Sequence, residues 1–176
     1  MKLSSATHDT PIGPFTVIAG DEDGERAVLA AGFTADPEEL RARLHKDWLS
    51  LPLERAADGR LGEVSDALDA YFGGDPKALE GLPVRQRSNQ RMLRAWEGLR
   101  TIPAGETRSY RDLAVSVFGD PDYARLAGGA CAKNLVALIV PCHRVIRSDG
   151  DLGGYYYGLD RKRWLLQHER SLAQQA

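Results

Sequence analysis

The stretch SYRDLAVSVFGDPDYARLAGGACAK, residues 109–133, decides what kind of fold the second half of this chain adopts. Ser109, followed three positions later by Asp112, has the form of a capping box and predicts the start of a helix. We expect this helix to end at Gly119 and a second helix to run from about residue 122 to 133. Two short helices joined by a tight, glycine-containing turn are typical of a helix-turn-helix unit, although many helical hairpins bind nothing.

The second of these helices consists almost wholly of small residues, RLAGGACA in 125–132. Small side chains and glycines allow a backbone to approach another surface closely. That surface can be a packed neighbouring helix or the groove of a DNA duplex, and the pattern leaves both open. Helix propensity disfavours two adjacent glycines without such a reason.

Charge is divided unevenly along the chain. Residues 1–84 carry 8 basic and 16 acidic side chains, whereas residues 85–170 carry 15 basic and 9 acidic ones. Most of the basic residues are arginines, which make forked contacts to phosphate groups. The division suggests that only the second half meets a polyanion, or else that a solvated surface is unevenly charged.

Composition restricts the class of protein. The chain has 176 residues, of which 43% are hydrophobic and 27% charged, and this excludes a mostly disordered chain. No apolar run approaches the roughly 20 residues of a membrane span, and the N-terminus turns polar before a secretory segment could form. The two cysteines, Cys131 and Cys142, exclude a disulfide framework and a four-cysteine zinc site. We therefore expect a soluble protein of a reducing compartment.

The first half is predicted to be a small α/β domain. Residues 15–19 and 27–32 favour two strands of a hairpin, joined by a longer acidic loop over 20–24. Asp36 and Pro37 suit the N-cap and first position of a helix, and a further helix fits 61–72. Nothing in this half resembles a catalytic cluster, so we interpret it as a scaffold.

A glycine- and proline-containing linker over 74–83 suggests the domain boundary. We expect residues 1–80 to form the N-terminal α/β scaffold domain and residues 81–176 a mainly helical domain with the helix-turn-helix. The expected fold class is α+β.

A cysteine follows proline after the apolar run 136–140, within Pro141-Cys142-His143-Arg144-Val145. A lone cysteine is usually a packed thiol. Here a histidine and an arginine follow it directly, and cationic neighbours lower a thiol pKa. Asn134 can orient the local turn, and Glu169 is available to orient a histidine. The pattern indicates a reactive thiol.

This segment closely resembles the acceptor motif of the O6-alkylguanine-DNA alkyltransferases, also called methylated-DNA–protein-cysteine methyltransferases. About 70 residues of the C-terminal domain match well and the N-terminal match is loose. The further matching segments are Ile102-Pro103-Ala104-Gly105-Glu106-Thr107-Arg108-Ser109-Tyr110, 125–134, 153–159, Trp164-Leu165-Leu166-Gln167-His168-Glu169 and Pro11-Ile12-Gly13-Pro14. The resemblance implies a ribonuclease H-like N-terminal domain, no cofactor and no metal, since no cysteine precedes Cys131 to form the zinc site that some members carry.

The resemblance also implies the chemistry. Cys142 is expected to attack the alkyl carbon of O6-alkylguanine, and also that of O4-alkylthymine, in a single irreversible transfer. His143 is expected to act as its base through a water molecule, with Glu169 orienting that network. Asn134 is expected to hold the turn that carries the cysteine. Tyr110 is expected to rotate the nucleotide out of the duplex and to donate a proton or hydrogen bond to the departing guanine.

The implied partner is double-stranded DNA, bound through the minor groove by the second helix of the helix-turn-helix. Arg125 is expected to fill the gap left by the flipped base, and the carbonyls of Cys142 and Val145 to bind the guanine amino group. The expected DNA-contacting residues are Arg125, Tyr110, Ala127, Gly128 and Ala132, and the expected pocket residues are Val145, Tyr155, Tyr156 and Tyr157. We expect a monomer in the cytoplasm that has no membrane partner.

Leu135 stands where the family usually has proline, and Tyr156 and Tyr157 stand where it has small residues. Two bulky rings at the rim can narrow the pocket for large alkyl groups or stack on the flipped base.

The alternative function is that of a damage-binding relative that does not repair DNA, although such relatives lack the acceptor cysteine. A transcription factor would need a polar recognition helix. A cysteine hydrolase is disfavoured because Cys142 and His143 are neighbours in the chain.

Overall fold

A computed structural model describes residues 1–175. They form two compact units, one made of residues 1–87 with 135–139 and the other of residues 88–134 with the chain from 140 onward. The first unit is built on a sheet and the second is mainly helical, which confirms the α+β class. Within residues 1–175, no helix combines the length and the apolar character needed to cross a bilayer.

The first unit contains a four-stranded sheet in the order β3-β2-β1-β4. Strands β1 and β2 are antiparallel, as are β2 and β3, whereas β1 pairs with β4 in parallel. The strands are β1 (Leu3–Thr10), β2 (Gly13–Glu22), β3 (Glu25–Gly32) and β4 (Leu53–Arg55).

The predicted hairpin is present, but its loop is shorter than expected. Glu22 pairs with Glu25, so Asp23 and Gly24 alone make the turn. Both have positive φ, 55° and 80°, as in the two-residue turns that match the twist of paired strands. Gly20, Asp21 and Glu22, which the sequence assigns to the longer loop, therefore extend β2 instead.

Three helices cover this sheet unit: α1 (Pro37–Arg41), α2 (Lys46–Leu49) and α3 (Glu63–Phe72). The side chain of Asp36 accepts a hydrogen bond from the amide of Glu38, and this confirms the predicted N-cap. One apolar cluster joins the sheet to the first two helices through Leu3, Ile18, Leu29, Leu40 and Trp48.

The segment 135–139 belongs to the first unit although it lies late in the chain. Val136 forms a parallel bridge with Ala31 at the β3 edge of the sheet. The amide of Ala31 donates to the carbonyl of Leu135, and the amide of Ala137 donates to the carbonyl of Ala31, both at 2.9 Å. The apolar run before Cys142 is thereby paired and buried in the sheet unit.

The second unit contains four helices and a short two-stranded parallel sheet, in which β5 pairs with β6. The capping box of Ser109 and Asp112 is confirmed, and Gly119 ends its helix in the left-handed conformation. The second predicted helix begins at Ala124, because residues 121–123 form a separate 3₁₀ turn. The elements are α4 (Gln90–Arg100), β5 (Arg108–Ser109), α5 (Tyr110–Phe118), α6 (Ala124–Lys133), β6 (Val145–Ile146) and α7 (Leu159–Gln175).

Candidate active site

Cys142 opens a 3₁₀ turn in the second unit, immediately before β6. Its amide donates to the carbonyl of Val140 at 2.8 Å, and only 9% of the residue is exposed. Burial raises the pKa of the Cys142 thiol, while a hydrogen bond with Asn134 and the positive charge of Lys162 act in the opposite direction. The thiol is therefore buried beside groups that favour its thiolate.

Asn134 connects the end of α6 to the turn that carries the cysteine. It follows Lys133 as the C-cap residue of α6, and it is buried. Its side-chain amide donates to the carbonyl of Val140 at 2.8 Å. The residue predicted to hold this turn thus bonds to the chain two positions before Cys142.

A buried ion cluster follows the cysteine. The Nε2 atom of His143 lies 2.8 Å from Oε1 of Glu169. Arg144 donates to the same carboxylate from Nε at 3.0 Å and from Nη2 at 2.9 Å, and its Nη1 donates to the carbonyl of Ile102. From the sequence, Arg144 is expected only to supply positive charge near the thiol, whereas here it is an ion-pair partner of Glu169.

The protonation states of this cluster are set by burial and by the charges within it. Burial lowers the pKa of His143 so that the ring is neutral near pH 7. Burial opposes ionisation of Glu169, but the hydrogen bonds from His143 and Arg144 and the charge of Arg144 outweigh it and hold the pKa of that carboxyl well below its usual range. A neutral His143 that donates from Nε2 to the carboxylate leaves Nδ1 as an acceptor, and Nδ1 has no partner among the described residues.

Lys162 was not among the predicted site residues. It lies on α7, is fully buried, and donates from Nζ to the carbonyls of Val145 at 2.7 Å and Gly154 at 3.1 Å. Lys162, Leu165 and Glu169 are spaced three and four positions apart, so they share one buried face of the helix. The sequence signal that could have identified Lys162 is a charged residue at a helix position where the spacing predicts a buried, apolar one.

Tyr110 is the first residue of α5 and is half-buried. Gly153 allows this placement, because a Cβ at that position would lie 2.9 Å from the Tyr110 hydroxyl and because its φ of +69° disfavours any side chain. Burial, followed by the charges of Cys131 and Cys142, raises the pKa of Tyr110 to about 12. The phenol is therefore protonated and can donate a hydrogen bond.

The three consecutive tyrosines differ in position. Tyr155 packs edge-on toward the ring of His143, with centroids 6.5 Å apart, and toward Tyr157 at 5.9 Å. Its hydroxyl is buried and has no hydrogen-bond partner within residues 1–175. Tyr156 is 64% exposed and contacts Tyr157 at 4.8 Å between centroids. The ring of Tyr155 thus faces the His143–Glu169–Arg144 cluster, and the ring of Tyr156 faces solvent.

Helix α6 presents only part of the predicted DNA-contacting set. Arg125 and Ala132 are exposed and Gly128 is half-buried. Ala127 is fully buried on the face of α6 that packs inside the unit, which removes it from that set. The indole of Trp96 holds this packed face by donating to the carbonyl of Ala130 at 2.9 Å.

No three histidine, cysteine or acidic side chains in the described part of the chain come together as metal ligands would.

Comparisons with known proteins cover both units. The model of the 6-O-methylguanine DNA methyltransferase ribonuclease-like domain matches residues 3–86, and that of the DNA-binding domain of the same family matches residues 90–171. A methylated-DNA–protein-cysteine methyltransferase of Shigella flexneri is 36% identical over 160 residues, 91% of each chain. One from Mycobacterium tuberculosis H37Rv is 38% identical over 167 residues, 95% of this chain and 92% of the relative.

Solved structures agree with these matches. Mycobacterium tuberculosis OGT in complex with DNA superposes with a TM-score of 0.75 at 36% identity, covering 96% of this chain and 94% of that one. The O6-methylguanine-DNA methyltransferase of Pyrococcus kodakaraensis has the same fold, with a TM-score of 0.69 at 22% identity. The family models span almost the whole chain and the relatives exceed 30% identity, so the chain belongs to the 6-O-methylguanine DNA methyltransferase family and is a transferase.

Proposed function

We propose that this protein repairs DNA by direct reversal, transferring the alkyl group of O6-alkylguanine, and of O4-alkylthymine, to the thiolate of Cys142. The observation that carries the proposal is the arrangement around that thiol: a buried cysteine with Asn134 before it and the His143–Glu169–Arg144 cluster directly after it. The names of the relatives describe the same transfer to a protein cysteine.

Activation of the thiol begins at His143. Glu169 accepts from Nε2, so the lone pair of Nδ1 is available to take a proton. A water molecule between Nδ1 and the Cys142 sulfur would pass the thiol proton to the ring. The ionised Glu169 then stabilises the imidazolium that forms, and Arg144 keeps the carboxylate in place.

The transfer itself is an in-line displacement at the alkyl carbon. The sulfur–carbon bond forms as the bond between carbon and O6 breaks, and the electron pair of that bond moves onto the guanine ring. A donor that meets this developing charge accelerates such a step by roughly 10²–10⁴. The raised pKa of Tyr110 favours donation of a hydrogen bond over complete loss of its proton.

The product is a thioether, and no residue of the cluster can remove an alkyl group from sulfur. Each molecule therefore acts once, and the reaction is stoichiometric and irreversible. Val145 and the tyrosines at 155–157 would form the wall of the pocket for the extrahelical base, with Tyr156 at its solvent side.

We assign DNA binding to α5 and α6 as a helix-turn-helix, with α6 in the minor groove and Arg125 filling the space of the flipped base. A Cβ at Gly129 would meet nothing within 4 Å, so packing inside the unit does not require glycine there. This supports close approach of an external surface as the reason for the small residues. The excess of basic residues in the second half supports phosphate contacts.

We also propose that the protein acts as a monomer in the cytoplasm. The nucleophile, its base and the exposed Arg125 all belong to one chain, so no second copy is needed to complete the site. Both cysteines are free thiols, as suits a reducing compartment.

Incubation with a duplex that contains one O6-methylguanine, followed by measurement of the intact mass, tests the reaction. We expect a gain of one methyl group per chain, saturating at one equivalent. Cys142→Ser should abolish the gain, and Cys131→Ser, at the other free thiol, should retain it. An unchanged mass of the wild-type protein, together with tighter binding to the damaged duplex than to an undamaged one, would contradict transfer and indicate a damage-binding protein.

A further inference from the structure

Lys162 is a fully buried lysine, a rare state for this side chain unless a charged partner accompanies it. Within residues 1–175 its ammonium has no carboxylate within ion-pair distance. Its hydrogen bonds go instead to two neutral carbonyl groups. Burying an ammonium without a counter-ion is costly, so its presence calls for a compensating function.

One carbonyl belongs to the segment that follows Cys142, and the other to the loop that leads into Tyr155, whose ring packs toward His143. Val145 lies three residues after the cysteine and starts β6, and Gly154 directly precedes the three tyrosines. An ammonium has three donors, of which these carbonyls use two. Lys162 thus ties the strand after the nucleophile to the loop that carries Tyr155.

Three ionisable groups, two thiols and one carboxyl, act electrostatically on the Lys162 ammonium. Burial lowers the pKa of Lys162, whereas Cys142, Cys131 and Asp151 raise it when they are ionised. Burial raises the pKa of the Cys131 thiol well above its usual range and so disfavours its ionisation, and Asp151 is exposed. The buried anion that can face this ammonium during a reaction is therefore the thiolate of Cys142.

We propose that Lys162 is a positioning residue of the transfer reaction, whose buried ammonium holds the carbonyls of Val145 and Gly154 and supplies the positive charge that balances the Cys142 thiolate. This inference rests on the proposed function for its role in transfer. The thiolate is present only before the alkyl group arrives, so the charge favours the state that attacks.

The carbonyl of Val145 has two lone pairs, and Lys162 occupies one of them. The second can accept from the amino group of an extrahelical guanine. A carbonyl already bonded to an ammonium is fixed in direction before the base arrives, which reduces the entropic cost of binding. One side chain then orients the pocket wall and stabilises the nucleophile.

Several other groups face Cys142 and contribute to its titration. Asn134 favours the thiolate through a hydrogen bond, whereas Tyr110, Tyr155 and Cys131 disfavour it only if they are themselves ionised. The raised pKa values of those three groups keep them neutral through the neutral range. His143 is neutral there as well, so Lys162 is the cation whose removal changes the charge around the sulfur.

The test compares Lys162→Met, Lys162→Gln and Lys162→Arg in a Cys131→Ser background, so that Cys142 is the single reactive thiol. The rate of alkylation by iodoacetamide against pH gives the midpoint of thiolate formation without any DNA. Single-turnover transfer from an O6-methylguanine duplex is measured over the same pH range. Circular dichroism confirms that each variant is folded. If Lys162→Met does not fold, Lys162→Gln, which keeps a donor but no charge, gives the measurement.

We expect the Met and Gln variants to shift the midpoint upward by about one pH unit or more, the effect of removing a nearby opposite charge. Transfer should then slow about tenfold at neutral pH and recover as the pH rises. Lys162→Arg should keep the midpoint. A wild-type midpoint in the Met and Gln variants, with transfer slowed equally at every pH, would overturn the proposal. Failure of the wild-type protein to accept a methyl group would instead overturn the proposed function, while the midpoint shift still reports on Lys162.

Discussion

The two units bury different kinds of polar groups. In the first, the buried polar side chains are neutral at pH 7: Ser5, His8, Thr16 and Ser65. In the second, they include three that carry charge, Arg144, Lys162 and Glu169, together with His143 and Asn134. The charged groups of the first unit form ion pairs at its surface, such as Arg60 with Asp66 and Asp69.

This difference accords with the proposed division of the protein into a scaffold and a reaction site. Buried ion pairs seldom stabilise a fold more than apolar residues of the same size, because desolvation offsets the attraction. A unit that buries three charges beside one cysteine therefore gains little stability from doing so. It gains a neutral histidine with a free acceptor and a thiol beside a cation, which is what the proposed transfer requires.

The largest expected effect comes from breaking the buried cluster. Glu169→Gln leaves the charge of Arg144 without its counter-ion, and we expect the free energy of unfolding to fall by about 3–5 kcal/mol. Single-turnover transfer should also slow, because His143 loses the carboxylate that stabilises its charged form. Urea denaturation and quenched-flow transfer measure the two effects. Arg60→Gln is the control, and an equal loss of stability there would remove the contrast between the units.

The next largest effect is expected from a substitution that creates a cavity in the apolar core of the first unit. Leu40 is 1% exposed, and we expect Leu40→Ala to lower the free energy of unfolding by about 3 kcal/mol. The transfer rate of the folded fraction should stay at the wild-type value, since this core contains no reacting group. Leu49→Ala, at an exposed position of α2, is the matched control. A slowed transfer in Leu40→Ala at full folding would show that the scaffold takes part in the chemistry.

Within the second unit, the adjacent glycines Gly153 and Gly154 are expected to respond differently to replacement by alanine. Gly153→Ala places a Cβ against the Tyr110 hydroxyl at a positive φ, so we expect about 1–2 kcal/mol of destabilisation and slower transfer. Gly154→Ala meets nothing within 4 Å and has no positive φ, so both quantities should stay near wild type. If the two variants transfer the alkyl group at equal rates, Gly153 is not required to position Tyr110.

The smallest effect concerns the buried histidine of the first unit. His8 lies 2.7 Å from the Ser65 hydroxyl, and burial lowers its pKa below 6.5. A base with a lowered pKa in the folded state contributes stability that is fully present above pH 6.5 and is lost as the pH falls through the folded value. Thermal unfolding between neutral and mildly acid pH should show this loss, and His8→Gln should flatten it. If the unfolding temperature of the variant depends on pH as that of the wild-type protein does, groups other than His8 cause the acid sensitivity.

Much of the second unit was predictable because its signals are local. The capping box at Ser109 and the glycine stop at 119 depend on neighbouring residues only, and both are confirmed. In the first unit, β1 was not predicted, since its polar residues take their strand conformation from pairing with β2. The segment 135–139 likewise joins the first unit through pairing with β3, a contact of long sequence separation.

The sequence by itself determined the family, through the Pro-Cys-His-Arg-Val motif at 141–145 among others, and the order of a sheet domain followed by a helical one. These features depend on which residue types lie close together in the sequence, so they can be identified without the tertiary structure. Only the tertiary structure decided that Arg144 and Lys162 are buried, that Ala127 faces inward and that Gly153 lies against Tyr110. Burial and contact depend on which distant segments pack together, and the desolvation of a charge is a property of that packing rather than of the residue alone.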